Sequence, residues 1–222
     1  MPTSPFAGIV LMTLATLVFA LQDAVTKSLT VSLPVAQIVF VRFAVFLAFA
    51  SLLASRGAGG LRAALRSAVP ARQALRCLLM CAEIALFAWA LRYLGIAEIH
   101  ALFACFPLFV AALSVPLLGE AVGWRRWLAV GVGLLGTLVI LRPGSAVFDP
   151  YALAPLACAL VYALYNLLTR QVSRHDGFAT SLLWFGLVGT LASAPFALWL
   201  WQPPERGEVW LLGALCATSV LG

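Results

Sequence analysis

The sequence predicts an all-α, polytopic transmembrane bundle. It reads as an inverted five-plus-five helix repeat, of which this chain supplies about seven and a half helices. Three observations carry that expectation. Of 222 residues, 64% are hydrophobic and only 10% charged, whereas a soluble domain needs about a quarter charged to cover its surface. The apolar residues come in runs of about 20, the length that crosses about 30 Å of hydrocarbon. And one polar-studded helix is written twice: "LVFALQDAVTKSL" from Leu17 to Leu29 returns as "LVYALYNLLTRQV" from Leu160 to Val172.

The spans fall at 7–26, 34–54, 74–94, 97–118, 124–142, 151–170 and 179–201, and another begins near Glu208. Span one is no cleavable leader: Met1 to Gly8 holds no Lys or Arg, so the basic flank is missing, and the run is too long. Span two carries Arg42. Span three carries Glu83 beside Cys77 and Cys81. Those two cysteines, with Cys105, Cys158 and Cys216, are scattered singly in apolar sequence and read as buried hydrophobes. Span four opens at His100, and Pro107, which lacks a backbone donor, is expected to kink it. Span five places Ala129, Gly133 and Thr137 in a small-xxx-small row, with Gly131 and Gly136 nearby, which allows close contact within the bundle or across a homodimer. Span six is the second copy of the polar helix. Gly186 and Gly189 give span seven the same close-packing capacity.

The net charge of +6 marks topology rather than nucleic-acid binding. If the spans alternate, Arg56, Arg62, Arg66, Arg72, Arg76, Arg125, Arg126, Arg170 and Arg174 share one side, against Lys27, Arg92, Arg142 and Arg206 on the other. Basic residues favour the cytoplasm, so the N-terminus is expected inside a bacterial inner membrane.

An odd number of spans separates the two copies of the polar helix, so they should run in opposite directions. Inverted repeats give a carrier two conformations of similar energy, one open to each side. The expected units are 1–142, a first five-helix repeat, and 143–222, two helices and part of a third from an inverted second repeat.

The segment Phe87 to Gly144 contains "ALRYLGIAE", Pro107, "LLGE" at Leu117–Glu120 and a Gly-rich fifth span, and "PVAQIVFVRF" runs from Pro34 to Phe43. Together these resemble the EamA-like family of the drug/metabolite transporter superfamily. The resemblance implies a ten-helix carrier of amino acids, nucleosides, vitamins or other metabolites. "LQDAVTKSL" followed by "SLPVAQIVFVRF" is also similar to bacterial members assigned to riboflavin or S-adenosylmethionine uptake.

The candidate pathway residues come from the polar groups that lipid rejects. An ionisable side chain at a helix centre costs about 2.5–3.5 kcal/mol, so it needs a partner or a wet cavity. Phe19, Gln22, Asp23 and Thr26 share one face of span one, and Tyr162, Tyr165, Asn166 and Thr169 share the equivalent face of span six. Both stripes should face the bundle interior, lining a substrate path or simply bonding helix to helix. Asp23 and Asn166 lie near opposite mouths, so they are candidate gates. Asp23 has a simpler option, an i+4 pair with a snorkelling Lys27. Arg42 and Glu83 can meet across spans two and three as a bidentate ion pair, and Glu83 is also a candidate proton carrier. The pathway candidates are Phe19, Gln22, Asp23, Arg42, Glu83, His100, Tyr162, Tyr165 and Asn166. His100 belongs near the outer surface, as an interfacial or hydrogen-bonded histidine or a proton relay, while Trp89 reads as core or lipid-facing and Glu120 as structural.

Other classes fit poorly. A retinal pigment needs a lysine in its last helix, and the only Lys is Lys27. His100 and His175 lie too far apart in the topology to share a site, and neither "HExxH" nor "GxSxG" occurs. An enzyme, a metal and a cofactor are therefore not expected. A non-transporting structural subunit remains the alternative to a carrier. The expected partners are a small-molecule metabolite and the lipid bilayer.

Overall fold

The computed structural model describes residues 5–57, 59–119, 123–125, 127–128, 131–133, 135, 151 and 153–221. Among them the secondary structure is helical throughout: α1 (Pro5–Leu29), α2 (Val35–Ser55), α3 (Gly60–Leu65), α4 (Pro70–Tyr93), α5 (Ile96–Phe103), α6 (Phe106–Leu118), α7 (Leu153–Val172), α8 (Phe178–Trp199) and α9 (Arg206–Leu221). Six spans are long and apolar enough to cross a bilayer, with α5 and α6 counted together. The expected span five, with Glu120, Ala129, Gly136 and Thr137, lies largely outside the described residues.

Local chemistry sets the boundaries. Pro70 occupies the first turn of α4, where its missing N–H costs nothing. In "LGIAE" the Glu98 carboxylate accepts from the Gly95 amide at 3.0 Å and fastens the start of α5. Gly119 ends α6 at φ 67°, a left-handed conformation that L side chains resist. Span four is broken rather than kinked. The helix stops at Phe103, turns through Ala104 and Cys105, and restarts with Pro107 in the first turn of α6. There the proline needs no donor, so it begins a helix instead of bending one.

The bundle has two ends. At the first, the Lys27 ammonium donates to the Leu94 carbonyl at 2.7 Å. Gln37 donates to the Gln202 carbonyl at 2.7 Å and accepts from the Gln202 amide at 3.0 Å. Leu29 and Leu33 pack there on Ile38, Leu212 and Leu215. At the second end Asp176 accepts from the Ser67 hydroxyl and, at 2.8 Å, from the Ala68 amide. The Trp184 indole donates to the Leu65 carbonyl at 3.2 Å. Below these are called the Leu94 end and the Ser67 end.

These contacts fix helix directions. The C-terminal turn of α1 reaches Leu94, and the N-terminal turn of α7 packs there too, through Ala154. Helices α1 and α7 therefore run antiparallel. The tightest seam joins α2 to α8. A Cβ placed on Gly186 would stand 2.7 Å from the Leu47 Cα, and one on Gly189 only 2.2 Å from the Phe43 ring. Glycine at both positions lets the backbones approach, and Phe185 then wedges edge-on between Phe43 and Phe46, 5.1 Å from each.

Candidate functional site: a charged cavity between six helices

A cavity of about 270 Å³ opens between α1, α2, α4, α5, α7 and α9. Seven of the nine expected pathway residues line it: Phe19, Gln22, Asp23, Arg42, Glu83, His100 and Tyr162. Their convergence follows from helix periodicity. Phe19, Gln22, Asp23 and Thr26 form one stripe of α1, and all four reach the cavity. On α4, Met80, Glu83, Ile84 and Phe87 do the same.

The polar groups are paired across helices. His100 Nε2 lies 2.7 Å from Asp23 Oδ2, a hydrogen bond strengthened by charge when the imidazole is protonated. The Gln22 amide is assigned with its oxygen toward Arg42, where it accepts from both terminal guanidinium nitrogens at 2.7 and 3.1 Å. The expected Asp23–Lys27 pair does not form, because the ammonium reaches the Leu94 carbonyl one turn nearer the Leu94 end. Arg42 and Glu83 do face one cavity, but no ion pair joins them within 4 Å. The bidentate contact goes to Gln22 instead. Glu83 is 6% exposed and shares the cavity lining with the rings of Phe87, Phe103 and Tyr162. His100 meets Phe87 edge-on at 5.5 Å, and Phe103 meets Tyr162 at 5.3 Å.

The second stripe divides. Tyr162 reaches the cavity, while Tyr165 and Asn166 do not line it. The Asn166 amide donates to the Tyr162 carbonyl at 2.8 Å in its own helix, so it caps backbone rather than facing the void. Tyr165 lies under the Arg76 guanidinium at 5.7 Å. Trp89 is also remote, in an aromatic group with Tyr93 and Tyr151 at the Leu94 end. The five cysteines are free and buried, and none of the described residues form a cluster fit to hold a metal.

Two features escaped the sequence reading. The walls Phe87 and Phe103 look like ordinary span residues, although Phe87 lies one turn beyond Glu83 on the same face. Arg76, counted with the loop arginines, is 5% exposed inside the bundle, and Gln73 is fully buried beside it. The signal was their spacing: Gln73, Arg76 and Glu83 lie on one stripe of α4.

Residues 6–142 match the EamA-like transporter family. Similar curated proteins include a riboflavin transporter of Vibrio cholerae, 33% identical over 94% of this chain and 70% of that protein. An S-adenosylmethionine uptake transporter of Rickettsia prowazekii is 29% identical over 49% of this chain, which spans only 37% of it. The pseudopaline exporter CntI of Pseudomonas aeruginosa is 28% identical over 97% of this chain and 75% of its own length. A crystal structure at 22% identity superposes with a TM-score of 0.64 over 94% of this chain and 75% of that one. That likeness establishes the helical fold. Six helical spans of membrane-crossing length and apolarity among the described residues, together with these matches, identify the chain as a multi-pass membrane protein belonging to the EamA-like transporter family of the drug/metabolite transporter superfamily.

Proposed function

We propose that the protein is a secondary carrier of a small polar or aromatic metabolite. It works by alternating access in a bacterial inner membrane, with its N-terminus in the cytoplasm. The observation that carries the reading is the cavity. A carboxylate–imidazole pair, a guanidinium and a buried carboxyl converge on one void walled by aromatic rings. Ligand sites have that composition, a mostly apolar lining with a few convergent polar groups. Charges inside a membrane bundle mark a solute or ion path far more often than a strut.

The antiparallel run of α1 and α7, each presenting a polar stripe, supports an inverted pair of units at 1–142 and 143–222. The cavity could accept a zwitterion: Arg42 with Gln22 for an anionic group, Asp23 and Glu83 for a cationic one, and the rings for a flat moiety. Riboflavin and S-adenosylmethionine, named for two relatives, are the first solutes to try. Transporter membership weighs toward a carrier over an enzyme, and a homodimer contact would fall to the small-residue face of span five.

The test is a thermal-shift screen of the purified protein against amino acids, nucleosides and flavins, then uptake of each hit into vesicles. Saturable uptake that Arg42→Gln and Asp23→Asn both impair supports the reading. Uptake indifferent to both variants removes the cavity from the path.

A further inference from the structure

Beyond the cavity, toward the Ser67 end, the α4 and α7 stripes continue as a buried polar seam. Along α4, Arg76 and Gln73 stand about two and three turns below Glu83, and along α7, Tyr165 and Thr169 stand about one and two turns below Tyr162. The seam is closed, and its hydrogen bonding is incomplete. Arg76 donates to the Ser181 carbonyl at 3.2 Å and lies over Tyr165. Gln73 reaches the Ser181 hydroxyl at 3.4 Å, so both converge on the start of α8. Yet Arg76 Nε, Gln73 Oε1 and Thr169 Oγ1 are buried without a partner. No carboxylate among the described residues lies within 4 Å of Arg76.

A buried cation with no counter-ion is costly, and buried polar atoms are almost always satisfied. A strut that merely pinned α4 to α8 would carry an acid on α8 or no charge at all. Here the vacant bonding capacity is one guanidinium N–H, at Arg76 Nε, an amide oxygen on the same helix α4, and a hydroxyl on α7. That set suits an oxyanion carrying a neighbouring donor. Arg76 binds a carboxylate or phosphate through its fixed fork, while Gln73 takes the donor.

We propose that Arg76, Gln73 and Thr169 form a second station on the path, which receives the anionic group of the solute as the Ser67 end opens. This rests on the carrier reading above and adds a preference for solutes that bear a carboxylate or phosphate. The anionic group passes from the Arg42–Gln22 pair, on α2 and α1, to Arg76 on α4, whose stripe carries Glu83 at the cavity.

Charge-paired thiol reagents test it without knowing the solute. The five buried cysteines are replaced by Ala or Ser, and Thr169→Cys is introduced, with Phe103→Cys made separately to report the cavity. Each protein, in lipid vesicles, is treated with the sulfonate and the trimethylammonium forms of ethyl methanethiosulfonate. The station predicts that Thr169→Cys reacts at least several-fold faster with the sulfonate than with the cation. That ratio should fall toward one in Arg76→Gln and persist in Arg76→Lys, which keeps the charge and controls for folding. Absence of labelling at Thr169→Cys, or equal rates with both reagents, overturns the station. Reaction at Phe103→Cys reports the cavity separately, so loss of the station leaves the carrier reading to be judged on the cavity and on solute uptake.

Discussion

The two polar regions differ in how their hydrogen bonds are met. In the cavity half, near the Leu94 end, the charged side chains that α1, α2 and α5 turn into the void have partners on another helix: Asp23 with His100, Arg42 with Gln22. In the seam half, near the Ser67 end, Arg76 and Gln73 are buried and Thr169 partly so, and all three keep orphaned atoms. The cavity half encloses a void of about 270 Å³ and pairs its charged groups, Glu83 of α4 excepted. The seam half is shut and its bonding is deferred. Under the carrier proposal this contrast is one conformation of a two-state device, with the Ser67 end held by Asp176 on Ser67 and Ala68.

Several substitutions sharpen or break that contrast. The largest effect belongs to the tight α2–α8 seam. Gly186→Val sets a branched side chain against the Leu47 backbone, which cannot give way. Overpacking of that kind costs about 1–3 kcal/mol or more, so the purified protein should lose thermal stability sharply. Gly213→Ala, which meets nothing within 4 Å, should match wild type. Next comes Arg42→Gln, which leaves the cavity without its cation. Hydrogen bonds to charged groups are worth about 1.5–3 kcal/mol, so solute affinity measured by equilibrium binding should fall about ten- to a hundredfold.

Asp23→Asn keeps the shape but loses the charge-assisted bond to His100, and a loss of several-fold is expected. Because the two side chains act as a pair, the Asp23→Asn and His100→Ala losses should not add in the double variant. Smallest is Asn166→Ala. Its amide serves the Tyr162 carbonyl within α7, so uptake should stay within about twofold of wild type. A large loss there would return Asn166 to the path and blur the division between halves.

Much of this was legible from residue order. Composition and run length announce the bundle, and the stripe on α1 names Phe19, Gln22 and Asp23 because helix periodicity alone puts them on one face. Partner choice was not legible. Lys27 is four residues from Asp23, and nothing local says that a carbonyl on α4 will take it instead. Arg42 has Glu83 as the obvious counter-charge, yet its guanidinium donates to Gln22 of α1 instead. Pro107 shows the limit of a single-residue rule: its ring could bend a helix or start one, and the preceding turn at Ala104–Cys105 decided. Arg76 was misread because a charge count assigns arginines to loops by position, while its burial depends on α8 closing over α4.

The most direct measurement asks whether the two halves open in turn. In the cysteine-free protein, Ser67→Cys and Asp176→Cys are joined by a short thiol cross-linker after the Ser67 end has closed, and reagent access is then read at the cavity and at the seam. A carrier predicts that the locked protein still reacts at Phe103→Cys, stops reacting at Thr169→Cys and no longer moves solute. Continued reaction at both positions, or transport through the cross-linked protein, would contradict alternating access.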